Sequence, residues 1–278
     1  MSAPDFPRRI VCLTEETVET LYLLGEQDRI VGVSGFAVRP PEVRKKPRVA
    51  AFSSANVEKI LELEPDLVLT FSDVQAEITR ELEKRGAAVW NFNQRTIAGI
   101  FDMMGALARL VGKEREGREL VDGFVRGLDE IRAAAKAFAR RPRVYFEEWN
   151  EPLISGIGWV EELIEIAGGE PVFPELRGLS KAQQRVVEAA AVIERNPDVI
   201  LASWCGKKVN VKAIKSRPGW EQIAAVREGH VYEVKSTYIL QPGPAALTDG
   251  VRQIQAILAG VARAEDGASV EREMNLRG

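Results

Sequence analysis

Few residues in this chain carry side chains suited to catalysis or to binding a bare metal ion. The 278 residues include one histidine, His230, and two cysteines, Cys12 and Cys205, which are far apart in the sequence. A zinc site requires several His, Cys or carboxylate ligands, and a serine hydrolase requires a histidine beside its nucleophile. These residues supply neither, and the glycine patterns of nucleotide-binding loops are absent. We expect His230 to lie exposed in a turn and the cysteines to act as small buried apolar residues.

Aromatic residues at the ends of predicted strands form a more informative pattern. Phe36, Phe71, Trp149 and Trp204 each end an apolar run, and Phe52 lies in a loop that leads into a helix. One such residue would usually belong to the peripheral core, but five at equivalent positions in two halves of the chain favour a ligand surface. In open parallel sheets, ligands bind beyond the carboxyl ends of the strands. The sequence therefore predicts a site with aromatic walls for a large, flat and partly apolar ligand.

We expect different roles for the other large aromatic residues. Among the four tyrosines, Tyr238 follows a predicted strand and is the one expected near the site. Trp159 and Trp220 have no such position, and we expect both to be packing residues.

Alternating strands and helices must position these residues. Apolar, β-branched runs predict strands at 8–13, 29–36, 67–71, 87–92, 142–149, 198–204 and 229–234. Amphipathic segments predict helices at 57–63, 76–86, 159–169 and 186–197, and a closing helix at 246–264. Strands that alternate with helices imply parallel sheets covered on both faces.

One phrase occurs twice, as LELEPDLVL at 61–69 and as IERNPDVIL at 193–201. In each copy a proline stops the helix, and the chain then enters a buried strand through Asp66 or Asp198. The repeat therefore predicts two lobes built on the same βαβ plan.

A long amphipathic segment separates the two halves. Apolar residues recur every three or four positions from Leu120 to Phe138, and charged residues fill the other positions. A helix from Lys113 to Arg140 would have 28 residues and a length of about 42 Å. The predicted fold class is α/β, with two Rossmann-like lobes that have parallel sheets, one long rigid α-helix joining them, and a ligand cleft between the lobes. The predicted domains are an N-terminal lobe at 1–112, a linking helix at 113–141 and a C-terminal lobe at 142–278.

Composition excludes several classes of partner. Hydrophobic residues make up 45% of the chain and charged residues 28%, with a net charge of −3, which is unlike a protein that binds nucleic acid. No apolar run reaches the length of about 18 residues needed to span a membrane, and the N-terminal segment has no signal-peptide core. We expect a monomer, periplasmic if a leader was removed and cytoplasmic otherwise.

The chain resembles the class III periplasmic binding proteins, the substrate-binding components of ABC importers for cobalamin, haem and ferric siderophores. The resemblance covers about residues 8–262. It is carried by RIVCLTEETVETLYLLGEQDRIVGVSGF, NVEKILELEPDLVLTF, PLISGIGWVEELIEIAGGEPVF, VIERNPDVILAS and RPGWEQIAAVREGHVYEV. Within the family, the vitamin B12 branch is most similar, because it uses aromatic cleft walls where Phe36, Phe52 and Phe71 stand here, and Trp204 lies in the corresponding loop of the other lobe. The resemblance implies a corrinoid ligand and no required cofactor.

The resemblance also implies a permease partner, which a surface glutamate on each lobe would contact. Glu58 stands seven residues before Pro65 and fits the first position, whereas the second position holds Ala190, with Glu188 two residues away. This departure leaves open a cytoplasmic corrinoid-binding relative that is not coupled to a permease.

Other ligands and one other class of protein remain as alternatives. A haem, a ferric siderophore, or a small oxyanion at Lys207 and Lys208 could occupy the same fold. An enzyme could use Glu147 and Glu148 as acid or base, although the sequence identifies no residue that orients these carboxylates.

Overall fold

The chain forms two compact units in a computed structural model that describes the backbone of residues 6–276 and the side chains of residues 6–263. The first unit comprises Met1–Phe124 and Gln241–Ala245, and the second comprises Val125–Leu240 and Ala246–Gly278. Hydrogen bonds connect the short segment Gln241–Ala245 to the rest of the first unit. The backbone N–H of Ala245 donates to the Glu19 carboxylate (3.1 Å), and the amide of Gln94 donates to the Pro242 carbonyl (3.1 Å).

The first unit is built on a five-stranded parallel sheet. Its strands are β1 (Ile10–Cys12), β2 (Ile30–Ser34), β3 (Arg48–Ala50), β4 (Leu67–Phe71) and β5 (Val89–Phe92). They lie in the order β3-β2-β1-β4-β5, and each neighbouring pair is parallel. The helices of this part of the chain are α1 (Glu15–Leu23), α2 (Val57–Glu62), α3 (Ala76–Lys84), α4 (Ile97–Leu110) and α5 (Glu114–Ala135).

The second unit contains a four-stranded parallel sheet and a small hairpin. Its strands are β6 (Arg143–Glu147), β7 (Trp149–Asn150), β8 (Leu153–Ile154), β9 (Glu170–Pro171), β10 (Val199–Ala202) and β11 (Val231–Glu233). The sheet has the order β11-β10-β6-β9, and β7 pairs with β8 as an antiparallel hairpin. The helices are α6 (Gly158–Ile166), α7 (Ala189–Arg195), α8 (Val211–Lys215), α9 (Ala224–Arg227), α10 (Ser236–Ile239) and α11 (Val251–Leu276), with a π-helical turn at Ala246–Gly250.

The central strands read as continuous apolar runs because both faces of each sheet are covered. All residues of β1, β4 and β10 are buried. The core of the first unit includes Val11, Val68 and Leu82, and the core of the second includes Ile200 and Trp220. The predicted α/β class with two Rossmann-like, parallel-sheet lobes is confirmed.

The repeated phrase has the same geometry in both units. The residue before each proline, Glu64 or Asn196, is left-handed, with φ values of 46° and 41°. The Asp66 carboxylate then accepts the backbone N–H groups of Arg8 (2.7 Å) and Arg9 (3.0 Å) at the start of β1. The Asp198 carboxylate likewise accepts the N–H of Arg143 (2.7 Å) at the start of β6. Each aspartate therefore anchors the neighbouring parallel strand in register.

The linking helix is shorter than its predicted length. Helix α5 has 22 residues and ends at Ala135, so its length is about 33 Å. Beyond it the backbone tightens into three-residue turns, with the N–H of Lys136 bonded to the carbonyl of Ala133. The Phe138 ring packs over Gly168 so closely that a Cβ there would lie 2.6 Å from a ring carbon. The apolar pattern continued to Phe138 because this ring is needed for packing after the helix has ended. The closing helix α11 begins at Val251, after the π-helical turn.

Within the described residues, no helix combines the length and apolar character needed to cross a membrane.

Trp159 is buried, and its indole N–H donates to the carbonyl of Ile239 (2.9 Å). Trp220 is also buried, in the core of the second unit, so both tryptophans are packing residues as predicted.

Candidate functional site

The carboxyl ends of the first unit's strands bring three predicted site residues to one edge of its sheet. Phe36 follows β2, Phe52 follows β3, and Phe71 is the last residue of β4. Phe36 is 42% exposed, Phe52 is half-buried and Phe71 is 5% exposed. The Arg95 guanidinium lies 5.3 Å from the centre of the Phe71 ring. Phe36 and Phe52 therefore keep accessible ring surface and Phe71 keeps little, and the roles of all three in ligand binding stay predictions.

A buried amide holds the loops of this edge together. Gln75, in the 3₁₀ turn that follows β4, is buried. Its Nε2 donates to the carbonyls of Leu13 (3.2 Å) and Phe52 (2.9 Å), and its Oε1 accepts the backbone N–H of Phe71 (3.0 Å). One side chain thus ties together the loops after β1, β3 and β4. Sequence reasoning missed Gln75 because its partners lie as many as 62 residues away and nothing in its local sequence marks it.

Backbone strain lies at the same edge. Ser72 follows β4 directly and has φ 58° and ψ −174°, a conformation that is essentially restricted to glycine. Its N–H donates to the carbonyl of Phe92 (2.6 Å), and its Oγ accepts the N–H of Val74 (3.2 Å). These hydrogen bonds hold the residue in place. Strained residues of this kind cluster at ligand sites.

Two adjacent buried carboxyl groups begin helix α1 at the end of β1. Burial raises the pKa of Glu15 to about 7. Burial, and then the charge of Glu15, raises the pKa of Glu16 to about 8. The Ser34 hydroxyl donates to Glu15 (3.2 Å), and the Gln94 amide donates to Glu16 (3.5 Å). Near neutral pH the pair therefore retains a proton and does not carry two full negative charges.

The edge of the second unit's sheet is organised around a buried ion pair. Glu147, the last residue of β6, is fully buried, and Arg217 donates to both of its oxygens (2.5 and 2.9 Å). The Trp204 indole N–H donates to Glu147 Oε1 (3.1 Å). The Arg217 guanidinium also lies 4.4 Å from the centre of the Trp220 ring.

This arrangement differs from the expected orientation of Trp204. The residue does follow the end of β10, but it is only 3% exposed and packs in the core of the second unit. Its hydrogen bond to Glu147 turns the indole inward. Trp204 therefore packs beneath the surface of this edge, and little of its ring is accessible to a ligand.

Trp149 and Tyr238 keep accessible surface at the second unit's edge. Trp149 lies in β7 of the hairpin, is half-buried, and donates its indole N–H to the carbonyl of Glu151 (3.0 Å). Tyr238, in helix α10 after β11, is half-buried, with the Lys235 ammonium 5.7 Å from its ring centre. The Lys207 ammonium lies over two rings, 5.5 Å from the centre of Trp149 and 5.1 Å from that of Trp204.

The two carboxylates considered for catalysis are both held in ion pairs. Glu147 is oriented by Arg217 and Trp204, and Glu148 pairs with Arg185, which also donates to the Ser155 carbonyl (2.7 Å). The sequence did not identify these partners, because they lie 37 to 70 residues away from the carboxylates in sequence. Each carboxylate is occupied as a structural acceptor.

The two candidate docking glutamates are both exposed at helix starts. Glu58 lies in the first turn of α2, and Arg85 donates to its carboxylate (3.3 Å). Backbone hydrogen bonding at the helix start, and then Arg85, lower the pKa of Glu58. Glu188 immediately precedes α7, and its side chain makes no capping hydrogen bond.

Candidate ligands for iron or another metal are few. His230 is half-buried, not exposed in a turn, because its ring stacks on Tyr232 and its Nδ1 is 3.1 Å from the Tyr232 hydroxyl. Across the described side chains, His, Cys, Asp and Glu residues nowhere form a group of three that could hold a metal ion. Cys12 is buried and Cys205 exposed, and both are free of disulfides; the expectation of burial therefore holds for Cys12 alone.

Each unit has a parallel sheet with aromatic residues after the carboxyl ends of its strands, the arrangement expected of a solute-binding protein. Residues 10–238 match the family model described as periplasmic binding protein, so the chain belongs to this family, as its sequence resemblance predicted. Members of the family bind solutes and are not enzymes, and the ligand is the bound solute, not a cofactor.

Two relatives are moderately similar to this chain across most of its length. An uncharacterized ABC transporter substrate-binding lipoprotein, YvrC, of Bacillus subtilis is 27% identical over 89% of this chain and 79% of its own. A vitamin B12-binding protein of Vibrio cholerae is 26% identical over 91% of this chain and 90% of its own.

Solved structures show the same fold. The periplasmic vitamin B12 binding protein BtuF of Vibrio cholerae has a TM-score of 0.74 at 24% identity, covering 93% of this chain and 99% of that one. The periplasmic heme-binding protein RhuT of Roseiflexus has a TM-score of 0.79 at 21% identity, covering 92% of this chain and 99% of that one. The chain is thus similar to binders of different tetrapyrroles, and fold alone does not choose between them.

Proposed function

We propose that this protein binds a corrinoid, a cobalamin-like ligand, as the substrate-binding component of an ABC importer. The observation that carries the proposal is the set of accessible aromatic rings at the carboxyl edges, namely Phe36, Phe52 and Trp149. Flat, partly apolar macrocycles are held by such rings through stacking and apolar burial. The vitamin B12-binding relative supports the same choice of ligand.

The supply of axial ligands favours a corrinoid over haem. Haem iron is usually held by a histidine, tyrosine, cysteine or methionine of the protein. His230 and Tyr232 are engaged with each other, and Tyr145 is buried in the core. A corrinoid can bring its own axial ligands and needs none of these residues. Tyr238, which is half-buried at the second unit's edge, and the exposed Cys205 keep haem as the second candidate.

The permease and the compartment form part of the same proposal. Relatives are named as an ABC transporter lipoprotein and as periplasmic binding proteins, which supports function outside the cytoplasmic membrane. The exposed Glu58 and Glu188 are the proposed contacts to a permease. The prediction that both units contribute to one ligand cleft also stays a prediction.

The ligand is tested by titrating purified protein with cyanocobalamin, dicyanocobinamide and haemin. Calorimetry and quenching of tryptophan fluorescence give the affinity and stoichiometry for each. We expect saturable binding of one corrinoid per chain and weaker, unsaturated binding of haemin. Absence of both heat and quenching with either corrinoid would reject the proposal, and tight haemin binding that is lost in Tyr238→Phe would establish the second candidate.

The role of Phe36 gives a quantitative test of the same proposal. A phenylalanine exposes about 200 Å², so the 42% that is accessible here corresponds to about 80 Å². Its burial under a ligand is worth about 2 kcal/mol at ~25 cal/mol per Å², or about 30-fold in Kd. Phe36→Ala should weaken corrinoid binding by this factor. The matched control is Leu23→Ala, which changes another exposed apolar residue at the far end of helix α1 and should leave Kd unchanged.

A further inference from the structure

The turn after β10 places a cation against two aromatic rings. Strand β10 ends at Ala202, and Trp204 and Lys207 then pair across a tight reversal in which the N–H of Lys207 donates to the Trp204 carbonyl (3.3 Å). Gly206 has φ 66°, which favours glycine and allows the chain to reverse within this turn. The buried, hydrogen-bonded Trp204 anchors one side of the turn. The position of Lys207 is therefore fixed by the backbone as well as by its side chain.

The charge of Lys207 is not neutralised by the carboxylates of this edge. Glu147 is paired with Arg217, and Glu148 is paired with Arg185. Among the side chains that the structure describes, none with a carboxylate forms an ion pair with Lys207. Its ammonium group rests on the faces of Trp149 and Trp204, and each contact of this kind at an exposed site is weak compared with a hydrogen bond between opposite charges.

An ammonium group that rests on aromatic rings still has N–H donors available for hydrogen bonds. It carries three N–H groups and no acceptor, and the Lys207 side chain is exposed to solvent. An anionic oxygen that approached from the solvent side would gain a charge-assisted hydrogen bond without displacing the rings. A ligand that packs against Trp149 would bring its own substituents to this point.

We propose that Lys207 binds an anionic oxygen of the ligand, the phosphodiester in the nucleotide loop of a complete cobalamin, and so distinguishes cobalamin from corrinoids that lack this group. The inference rests on the proposed corrinoid function. It makes Lys207 a specificity-determining residue, while Trp149 supplies contact surface that any corrinoid could use. Lys208, which is also exposed but lies over no ring described here, has no part in it.

The test compares one ligand that has the phosphodiester with one that lacks it. Kd values for cyanocobalamin and dicyanocobinamide are measured for the wild type, Lys207→Met, Lys207→Arg and Lys208→Met, at low and high salt. We expect Lys207→Met to weaken cyanocobalamin binding about tenfold and to change dicyanocobinamide binding by less than about twofold. Lys207→Arg should restore most of the loss, Lys208→Met should match the wild type, and the loss should shrink at high salt.

Each of the other outcomes would overturn the inference, and each would indicate a different role for Lys207. Equal losses for both corrinoids in Lys207→Met would mean that the lysine acts by covering the tryptophans, with no contact to an anion. No loss for either would remove Lys207 from the site. A wild-type protein that binds neither corrinoid would reject the proposed function and this inference with it, whereas binding of both with no Lys207 effect rejects the inference alone. Unchanged near-ultraviolet circular dichroism confirms that each variant is folded.

Discussion

Removing the guanidinium of Arg217 should destabilise the second unit far more than removal of a surface arginine. Glu147 is completely buried, and Arg217 supplies two of the three hydrogen bonds to its carboxylate described above. Of these three hydrogen bonds, Arg217→Met would leave only the one from the indole N–H of Trp204. Breaking a buried pair by removing one partner costs about 3–5 kcal/mol, because an uncompensated charge remains. This is a large part of the 5–15 kcal/mol that typically stabilises a folded domain.

The same reasoning predicts that a second substitution will rescue the first. Glu147→Gln removes the buried charge but keeps an oxygen that can accept from Trp204. The double variant Glu147→Gln with Arg217→Met should therefore recover at least about 2 kcal/mol relative to Arg217→Met alone. The control is Arg132→Met, which breaks an exposed ion pair with Asp129 on α5 and should cost less than about 0.5 kcal/mol.

Tryptophan fluorescence during urea unfolding is a suitable measurement. Trp149, Trp159, Trp204 and Trp220 all lie in the second unit and Trp90 lies in the first, so the signal reports mainly on the unit that is perturbed. A cost below about 1 kcal/mol for Arg217→Met, or a double variant no more stable than the single one, would refute the account of this ion pair as a buried charge held by one partner.

Three further predictions concern the first unit and the surface. Gln75→Ala removes three hydrogen bonds, so it should lower the free energy of unfolding by about 2–4 kcal/mol and weaken corrinoid binding, measured by urea unfolding and calorimetry. Burial raises the pKa of Glu16 from 4.5 to about 8, so the folded chain holds a proton that the unfolded chain releases. The contribution of Glu16 to stability is therefore greatest below about pH 4.5 and is lost as pH rises toward 8, with a slope of up to about 1.4 kcal/mol per pH unit. Thermal unfolding across this range should show the decline, and Glu16→Gln should make it less steep while leaving the part due to Glu15; an equal decline in the variant would contradict the assignment. Finally, Glu58→Lys and Glu188→Lys should reduce corrinoid uptake by cells severalfold while leaving Kd unchanged, and normal uptake by both variants would exclude these glutamates as permease contacts.

The elements predicted well from sequence are those whose patterns are local. Strand β4 was predicted at 67–71 and has those bounds, because an apolar run between a proline stop and a polar turn defines it without help from distant residues. The short strands β3, β7, β8 and β9 were not predicted individually. Each has two or three residues, and such strands exist only through pairing with neighbours that the local sequence does not reveal.

The residues of the candidate site also divide into those that the local sequence predicts and those whose positions depend on distant partners. Strand ends located Phe36 and Trp149 at the carboxyl edges, because position along a parallel strand determines the edge at which a residue lies. Phe52 was predicted only in a loop that leads into a helix, since strand β3 before it was not predicted. The side-chain direction of Trp204 was not predictable, since it depends on Glu147, 57 residues away in sequence. The role of Gln75 was not predictable for the same reason, since its partners are distant in sequence.

The two units hold the carboxyl edges of their sheets in place by different interactions. Because these interactions differ in their response to salt, salt dependence should separate the contributions of the residues to ligand binding. Gln75 bonds to neutral backbone groups, and Glu147 and Arg217 are largely withdrawn from solvent, so both supports should persist as salt concentration rises. The Lys207 ammonium is exposed, and its attraction to an anion should be screened. Affinity that survives high salt would therefore measure aromatic burial on Phe36 and Trp149, and affinity lost would measure the contribution of Lys207. A wild-type Kd for cyanocobalamin that did not change with salt would contradict this division, even if both aromatic residues proved essential.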